Sequence, residues 1–174
     1  MTKRWLLLGE APNWATARSP HLWLLPDDSG IQHSANRLLA HSGYSRREYL
    51  ETFERDNLLH SLPGRQHRGR AFPIKEARAQ VGRVLARAEE VHGIVMLGKR
   101  VPQAFELFDD VGGRVGGRQV EYLTWYRVLP PHDREMPVVC VPHPSGLNRW
   151  WGSEENRRAA REFFEGLRRV PAWT

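Results

Sequence analysis

The chain has 174 residues, of which 40% are apolar and 26% charged, as is typical of one soluble globular domain with a sizeable core. Its apolar runs are too short to cross a bilayer and it shows no basic-then-apolar leader, so we expect a cytoplasmic protein without membrane contact. A single cysteine, Cys140, excludes an internal disulfide and a metal or iron–sulfur site built from several thiolates.

The formal net charge is +6, and most of the basic residues are arginine. Arginine pairs with phosphate through two hydrogen bonds and stacks on bases. Much of the positive charge lies in residues 65–83 and 149–169. On charge alone two interpretations stay open, a nucleic-acid footprint or a solvated arginine-rich surface.

The amino-terminal part predicts a strand, a loop and then helices. Residues 5–8 form a short apolar run that stops at a glycine, which is typical of a buried strand. Residues 14–28 contain two prolines and predict a loop. Helical spacing begins at Ser34 and ends at Ser42-Gly43.

A second short helix is predicted from a capping box, since Glu48 follows Ser45 by three residues. Residues 56–59 predict the start of a second strand. Residues 74–91 carry apolar side chains at helical spacing and predict one long helix, before a third buried strand at residues 93–97.

The carboxyl-terminal part predicts a helix over residues 101–108, a glycine-rich loop tip or hairpin over 111–117 and a further strand within 119–128. Residues 138–141 then form a β-branched apolar run, which is typical of a fully buried strand. Ser153 is the expected cap of the last helix.

Short apolar runs separated by helical segments predict an α/β fold, with a three-layer α/β/α arrangement around a central, mostly parallel four-stranded sheet. We expect residues 1–174 to form one domain. Because the carboxyl ends of parallel strands meet at one edge of the sheet, Glu10, Asn57 and His143 are expected to converge there.

The loop after residues 138–141 carries the most distinctive chemistry. Two prolines and a glycine make it stiff around His143. It continues with an amide, a cation and two indoles, Asn148, Arg149, Trp150 and Trp151, a set suited to flat bases and phosphates. The alternative is a structural turn with the tryptophans in the core, and we expect at least one of them to pack there.

Two motifs, at opposite ends of the chain, resemble one known family. Gly9-Glu10-Ala11-Pro12 is similar to the first motif of the uracil-DNA glycosylase superfamily in its family 4 form, and residues 143–148, HPSGLN, are similar to its second motif. Residues 36–43 with 56–59 match the spacing around its base-reading asparagine. Residues 95–98 resemble its third-strand leucine–glycine turn.

The resemblance implies an enzyme that flips a uracil-like or modified base out of DNA and hydrolyses its N-glycosidic bond, leaving an abasic site. His143 would donate to the developing oxyanion of the departing base, and Asn57 would read the base edge with its amide. Ala11 would lie in the base pocket, and Trp23, or else His21, would stack on the flipped base.

The second motif also implies DNA contacts. Leu147 corresponds to the wedge that fills the vacated stack, and Asn148 with Arg149 would steady the opposite strand or the phosphates. Ser145 and Gly146 would hold the backbone through hydroxyl and N–H contacts.

The chain departs from the family 4 pattern because it lacks the cysteines of that family's iron–sulfur cluster and because Asn13 replaces the glycine after the proline. Ala11, as in family 4, stands where several other branches of the superfamily carry a water-orienting aspartate or asparagine. The residue that orients the water is therefore open among Glu10, Asn13 and Asp28, unless a strongly dissociative step needs little base catalysis.

We expect DNA, single- or double-stranded, as partner of a monomeric bacterial or phage-encoded protein with no cofactor and no metal. The base stays open between uracil, hypoxanthine and a hypermodified pyrimidine, in repair or in defence against phage. One alternative is a catalytically weak or silent DNA-binding protein of the same fold, which Ala11 favours. A nucleotide enzyme of Rossmann type is disfavoured, because no Gly-x-Gly-x-x-Gly follows the first strand.

Overall fold

The computed structural model describes most of the chain. The described residues are 3–28, 33–61, 72–87, 89–107, 114–115, 118–119, 121–128, 135–145 and 148–169.

A five-stranded sheet forms the centre of the fold, in the order β2-β1-β3-β7-β6. The first four strands in this order run parallel, whereas β6 pairs antiparallel with β7. The strands are β1 (Arg4–Gly9), β2 (Phe53–Asn57), β3 (Val91–Leu97), β4 (Arg114–Val115), β5 (Arg118–Gln119), β6 (Trp125–Val128) and β7 (Met136–Val141). The mostly parallel α/β prediction is confirmed.

The predicted count of four strands is wrong by one. Within the segment 119–128, Gln119 belongs to β5, which pairs with β4 in a separate two-stranded sheet, and only Trp125–Val128 joins the central sheet. This edge strand runs back along β7 and so adds an antiparallel neighbour beyond the four parallel strands.

Helices cover both faces of the sheet, because alternate strand residues point to opposite sides. They are α1 (His33–Ser42), α2 (Arg46–Thr52), α3 (Ile74–Ala79), α4 (Val81–Leu85), α5 (Arg100–Ala104) and α6 (Glu154–Arg168). Leu7 and Val95 belong to the core shared with α1, α2 and α6. Leu6 and Ile94 belong to the core shared with α3, α4 and α5.

The single long helix predicted over residues 74–91 is wrong. It breaks at Gln80, whose N–H donates to Ala77 O over 3.0 Å, a three-residue closure that ends α3. Gly82 weakens the helical preference of the next turn, and α4 ends at Leu85, while Val91 already belongs to β3. The predicted helix over 101–108 is also shorter, since α5 ends at Ala104.

The helix boundaries read from capping residues are confirmed. Ser45 Oγ accepts from Glu48 N over 3.2 Å, and Glu48 Oε2 accepts from Ser45 N over 2.7 Å. Gly43 follows α1 with φ of 71°, a conformation that favours glycine. Ser153 Oγ accepts from Asn156 N at the start of α6. Among the helices described, none has the length and apolarity needed to span a bilayer.

Candidate functional site

A cavity of about 390 Å³ opens at the carboxyl ends of β1, β2, β3 and β7. Its size lies within the roughly 300–1,000 Å³ of small-molecule sites. Glu10, Asn57 and His143 all line it, so the expected convergence of these three residues at one sheet edge is observed. Ala11 and Asn13 lie in its wall as well.

Asn57 is the last residue of β2 and is only 2% exposed. Within the described part of the chain, no group hydrogen-bonds to its side-chain amide, which faces the cavity. Its register partner is Gly9, and a Cβ at Gly9 would collide with Asn57 Oδ1. The glycine of the first motif is therefore required for the close approach of the amide.

A charged network behind Asn57 fixes the end of β2. Asp56 Oδ1 accepts from Asn57 N over 2.7 Å and contacts His60 Nε2 over 3.0 Å. Arg83 of α4 donates to Asp56 Oδ2 over 2.6 Å and to the carbonyls of Asn57 and Leu58 over 3.0 and 3.2 Å. These bonds hold the backbone of Asn57 and leave its side chain free to face the cavity.

The backbone carbonyl of His143 organises the loop that carries it. It accepts from Ser145 N over 2.8 Å, from Asn148 Nδ2 over 3.1 Å and from Trp151 Nε1 over 3.1 Å. The other side-chain group of Asn148, Oδ1, accepts from Trp150 N over 3.1 Å. These three bonds fix the backbone at His143, as a preorganised donor requires.

The Glu10 carboxylate lies beside His143. A Cβ built on Gly98, whose φ is 81°, would lie 3.1 Å from Glu10 Oε1 and 3.2 Å from His143 Cβ. Glu10 Oε2 accepts from Arg100 Nη1 over 3.1 Å. Gly98 therefore lets the glutamate and the histidine flank the turn after β3.

Burial is the main cause that lowers the pKa of His143 below its usual value of 6.5. The Glu10 carboxylate opposes this shift, because a negative charge favours the imidazolium, whereas the Arg100 guanidinium adds to it. The imidazole is accordingly neutral at pH 7. It can donate one hydrogen bond into the cavity and accept one at its other nitrogen.

Asn13, one of the three candidates for orienting the water, holds a turn through its side-chain oxygen. Asn13 Oδ1 accepts from Ala15 N, Thr16 N and Thr16 Oγ1, each over 3.0 Å. With three donors already bound, this oxygen has no capacity for a fourth. The third candidate, Asp28, is exposed and does not line the cavity.

Of the two predicted stacking residues, the structure brings one to the cavity. Trp23 lines it but is only 4% exposed, and its Nε1 donates to Thr16 O over 2.8 Å. Its other neighbour is the His60 ring, with centroids 4.9 Å apart. His21 is exposed and does not line the cavity, because it lies in a 3-10 turn, Pro20–Leu22, that directs it outward.

The lining residues that the sequence analysis missed include Trp14, Phe72 and Arg100. Trp14 is 81% exposed at the cavity. The Arg100 guanidinium lies 5.5 Å from the centroid of the Phe72 ring, a cation–π distance. Arg100 follows the turn at the carboxyl end of β3. The convergence of parallel strand ends at one sheet edge, which located Glu10 and His143, therefore also predicts a place for Arg100 at the site.

The remaining predicted DNA-contacting residues lie around the His143 loop. Arg149 is exposed and Ser145 is half-buried, while the side chain of Asn148 is engaged by its own loop. Gly146 and Leu147 lie outside the described residues. Trp151 is buried, which confirms that one of the two tryptophans packs in the core.

The described residues contain no group of three or more histidine, cysteine, aspartate or glutamate side chains placed to hold a metal ion. Cys140 is buried, and this burial raises the pKa of its thiol to about 12.

Comparison with protein-family models gave no match. Comparison with curated proteins gave no relative.

Proposed function

We propose that this chain is a monofunctional DNA glycosylase that hydrolyses the N-glycosidic bond of an extruded uracil-like or modified base. The observation that carries the proposal is the side-chain amide of Asn57, which has no hydrogen-bond partner among the described residues and lines the same cavity as the His143 imidazole. Its donors and its acceptor are therefore available to a ligand with a complementary edge.

Asn57 reads the base in this proposal. Its amide offers one acceptor and two donors, which complement the adjacent carbonyl and N–H groups of a pyrimidine edge. The base must leave the duplex to reach the cavity, at an unstacking cost of about a few kcal/mol. Trp14, Trp23, Ala11 and Phe72 supply apolar surface in the cavity wall for the extruded ring.

His143 stabilises the departing base. As the bond between the sugar C1′ and the base nitrogen breaks, its electron pair leaves with the base, and the neutral imidazole donates a hydrogen bond to the base oxygen where negative charge develops. Water adds to C1′ and loses a proton, and the released base takes up one proton from solvent. Atoms and charge balance without a cofactor.

Glu10 is the remaining candidate to orient the water. Its Oε1 and the Cβ of His143 lie 3.1 and 3.2 Å from the Cβ position of Gly98, while Oε2 is held by Arg100. In this proposal the carboxylate lies close to the sugar, where it also stabilises positive charge on an oxocarbenium-like sugar.

DNA contacts are assigned to the loop that carries His143. Arg149 is exposed there and is suited to a phosphate, and Ser145 is proposed to contact the backbone. Leu147 stays the proposed wedge, from its place in the second motif. We expect the protein to act as a monomer in the cytoplasm of a bacterium or an infected cell.

The test is base release from oligonucleotides that contain uracil, hypoxanthine, xanthine or a modified cytosine, followed by alkaline cleavage of abasic sites. Wild type should release at least one of these bases. His143→Ala should lower kcat by about 10²–10³-fold, the usual effect of removing one oxyanion donor. His92→Gln, at the start of β3 and away from the cavity, is the matched control and should retain activity. Release that survives the loss of His143 contradicts its assigned role.

A second candidate function is a DNA-binding protein that does not excise bases. It is favoured by Ala11, whose side chain cannot orient water, and by the engagement of Asn13 Oδ1 by three donors, which leaves Glu10 Oε1 as the remaining candidate acceptor. This second function is supported if the protein binds every oligonucleotide in the set and releases no base from any of them.

A further inference from the structure

We propose that Arg37, Arg157 and Arg161, which surround His41 where α1 meets α6, form a second phosphate-binding surface that holds the backbone of duplex DNA beside the His143 loop. We call these three arginines the α1–α6 basic surface. The inference rests on the proposed DNA substrate, and it is independent of whether a base is excised.

The surface is joined to the His143 loop through stacked rings. The His41 ring lies on Trp151, with centroids 4.2 Å apart and planes 4° from parallel. Trp151 Nε1 donates to the carbonyl of His143 over 3.1 Å. A phosphate held beside His41 is thus held at a fixed distance from the cavity.

The arginines are placed by packing and by hydrogen bonds. Arg157 Nη1 donates to the carbonyls of Trp151 and Gly152 over 2.8 and 3.1 Å. The side chain of Arg161 lies 3.6 Å from the Cβ position of Gly43, just after α1. Arg37 is exposed and precedes His41 by four residues, so the two share a face of α1.

The positive charge of this surface is not neutralised internally. Among the described residues, none of the three arginines forms an ion pair with a carboxylate. Arginines on other faces do, since Arg47 pairs with Glu51 and Arg127 with Glu135. A row of unpaired guanidinium groups is suited to phosphates.

Acidic residues occur on α6 as well. Glu154, Glu162 and Glu165 line a shallow groove together with Arg157 and Arg161. Glu165 is engaged by Arg168 and Arg169, and in the described part of the chain neither Glu154 nor Glu162 forms an ion pair with Arg157 or Arg161. The charge of these arginines is therefore not cancelled by direct pairing with the carboxylates of the groove.

His41 reports on this charge. Burial lowers its pKa below 6.5, and the guanidinium groups of Arg157, Arg37 and Arg161 lower it further. The His41 ring also stacks on the indole of Trp151, which carries no charge. A bound phosphate would offset the positive potential, so DNA binding should raise the pKa of His41.

The test measures binding of undamaged duplex DNA by the double variant Arg37→Gln/Arg161→Gln over a series of salt concentrations. Arg157 is left in place because it also holds the loop backbone. Each lost phosphate contact reduces the slope of log Kobs against log salt by about 0.9, so the slope should fall by about 2. Arg47→Gln/Arg127→Gln removes the same charge from exposed, ion-paired positions elsewhere and should leave the slope unchanged.

A histidine NMR titration of wild type, with and without undamaged duplex, provides the second readout and should show a higher pKa of His41 in the complex. Equal slopes for the two double variants overturn the proposal. So does a lack of duplex binding by wild type, or a change of slope that is seen only with single-stranded RNA.

If wild type releases no base but the slope still falls in Arg37→Gln/Arg161→Gln, the proposed phosphate-binding surface stands and the proposed glycosylase function does not.

Discussion

Arg100 Nη1 lies 3.1 Å from Glu10 Oε2, while Oε1 of the same carboxylate and the Cβ of His143 lie 3.1 and 3.2 Å from the Cβ position of Gly98. The guanidinium therefore partly neutralises a negative charge beside a buried imidazole. Without that neutralisation the carboxylate would favour the imidazolium. Burial and the Arg100 guanidinium therefore both lower the pKa of His143, against the effect of the Glu10 carboxylate.

Arg100→Gln should raise the pKa of His143, because it removes a nearby positive charge and leaves the Glu10 carboxylate uncompensated. The acid limb of the pH–rate profile should move to higher pH. A histidine NMR titration measures the pKa directly and does not depend on activity. Lys99→Gln, at the exposed neighbouring position, removes the same charge and should leave the His143 resonance in place. An equal shift in both variants would assign the effect to net charge.

Gly9→Ala should damage the site through Asn57, because the new Cβ would meet Asn57 Oδ1 and force the amide or the strand to move. Overpacking of this kind costs about 1–3 kcal/mol of unfolding free energy, measured by urea denaturation. Base release should fall further than the stability loss explains. Gly166→Ala is the matched control, since its Cβ meets no atom within 4 Å in α6, and it should be stabilising by about 0.5–1 kcal/mol. Full base release by a stable Gly9→Ala protein would contradict the role of Asn57.

The convergence of Glu10, Asn57 and His143 was predictable from sequence because it depends on topology alone. Each residue follows or ends a buried parallel strand, and parallel strands place their carboxyl ends together. The Asn13 turn was also within reach, since an asparagine side chain commonly accepts from the backbone N–H two residues on, here that of Ala15. The contact of Arg100 with Phe72 was not, because it joins a helix to a segment 28 positions earlier through tertiary packing.

Short sequence patterns likewise predicted the ends of helices better than they predicted breaks within them. Ser45 and Glu48 satisfy each other's backbone groups within four residues, so the sequence pattern contains the whole interaction. The break at Gln80 depends on where α3 and α4 each bury one small apolar face, at Ala77 and Val84. Apolar periodicity continues across that break, which is why residues 74–91 resembled one helix.

Arg83→Met should loosen the end of β2. Asp56 would lose its shortest ionic partner, and the carbonyls of Asn57 and Leu58 would lose a donor. We expect a loss of about 1–3 kcal/mol of unfolding free energy, the cost of leaving buried polar groups unsatisfied. Discrimination between bases should decrease together with kcat/KM, measured on paired oligonucleotides.

Arg47→Met is the comparison for Arg83→Met, since it breaks an exposed ion pair with Glu51, and should cost about 0.2–1 kcal/mol. Unchanged base discrimination in a destabilised Arg83→Met protein would mean that Asn57 does not need this network.

Stability should decrease as the pH falls below neutral, because three histidines have pKa values below 6.5 in the folded protein. Burial is the main cause of the lowered pKa of His41, His92 and His143. The unfolded chain then binds more protons than the folded one, so the free energy of unfolding rises with pH. The stabilisation is complete above pH 6.5 and is lost as the pH falls from there through the lowered folded values. Urea denaturation at pH steps between about 7 and about 5, above the range where carboxylates titrate, measures the slope. His143→Gln should make the dependence of the unfolding free energy on pH less steep, because it removes one of the three histidines. An identical slope in that variant would show that the imidazole of His143 is as easily protonated in the folded protein as in the unfolded chain.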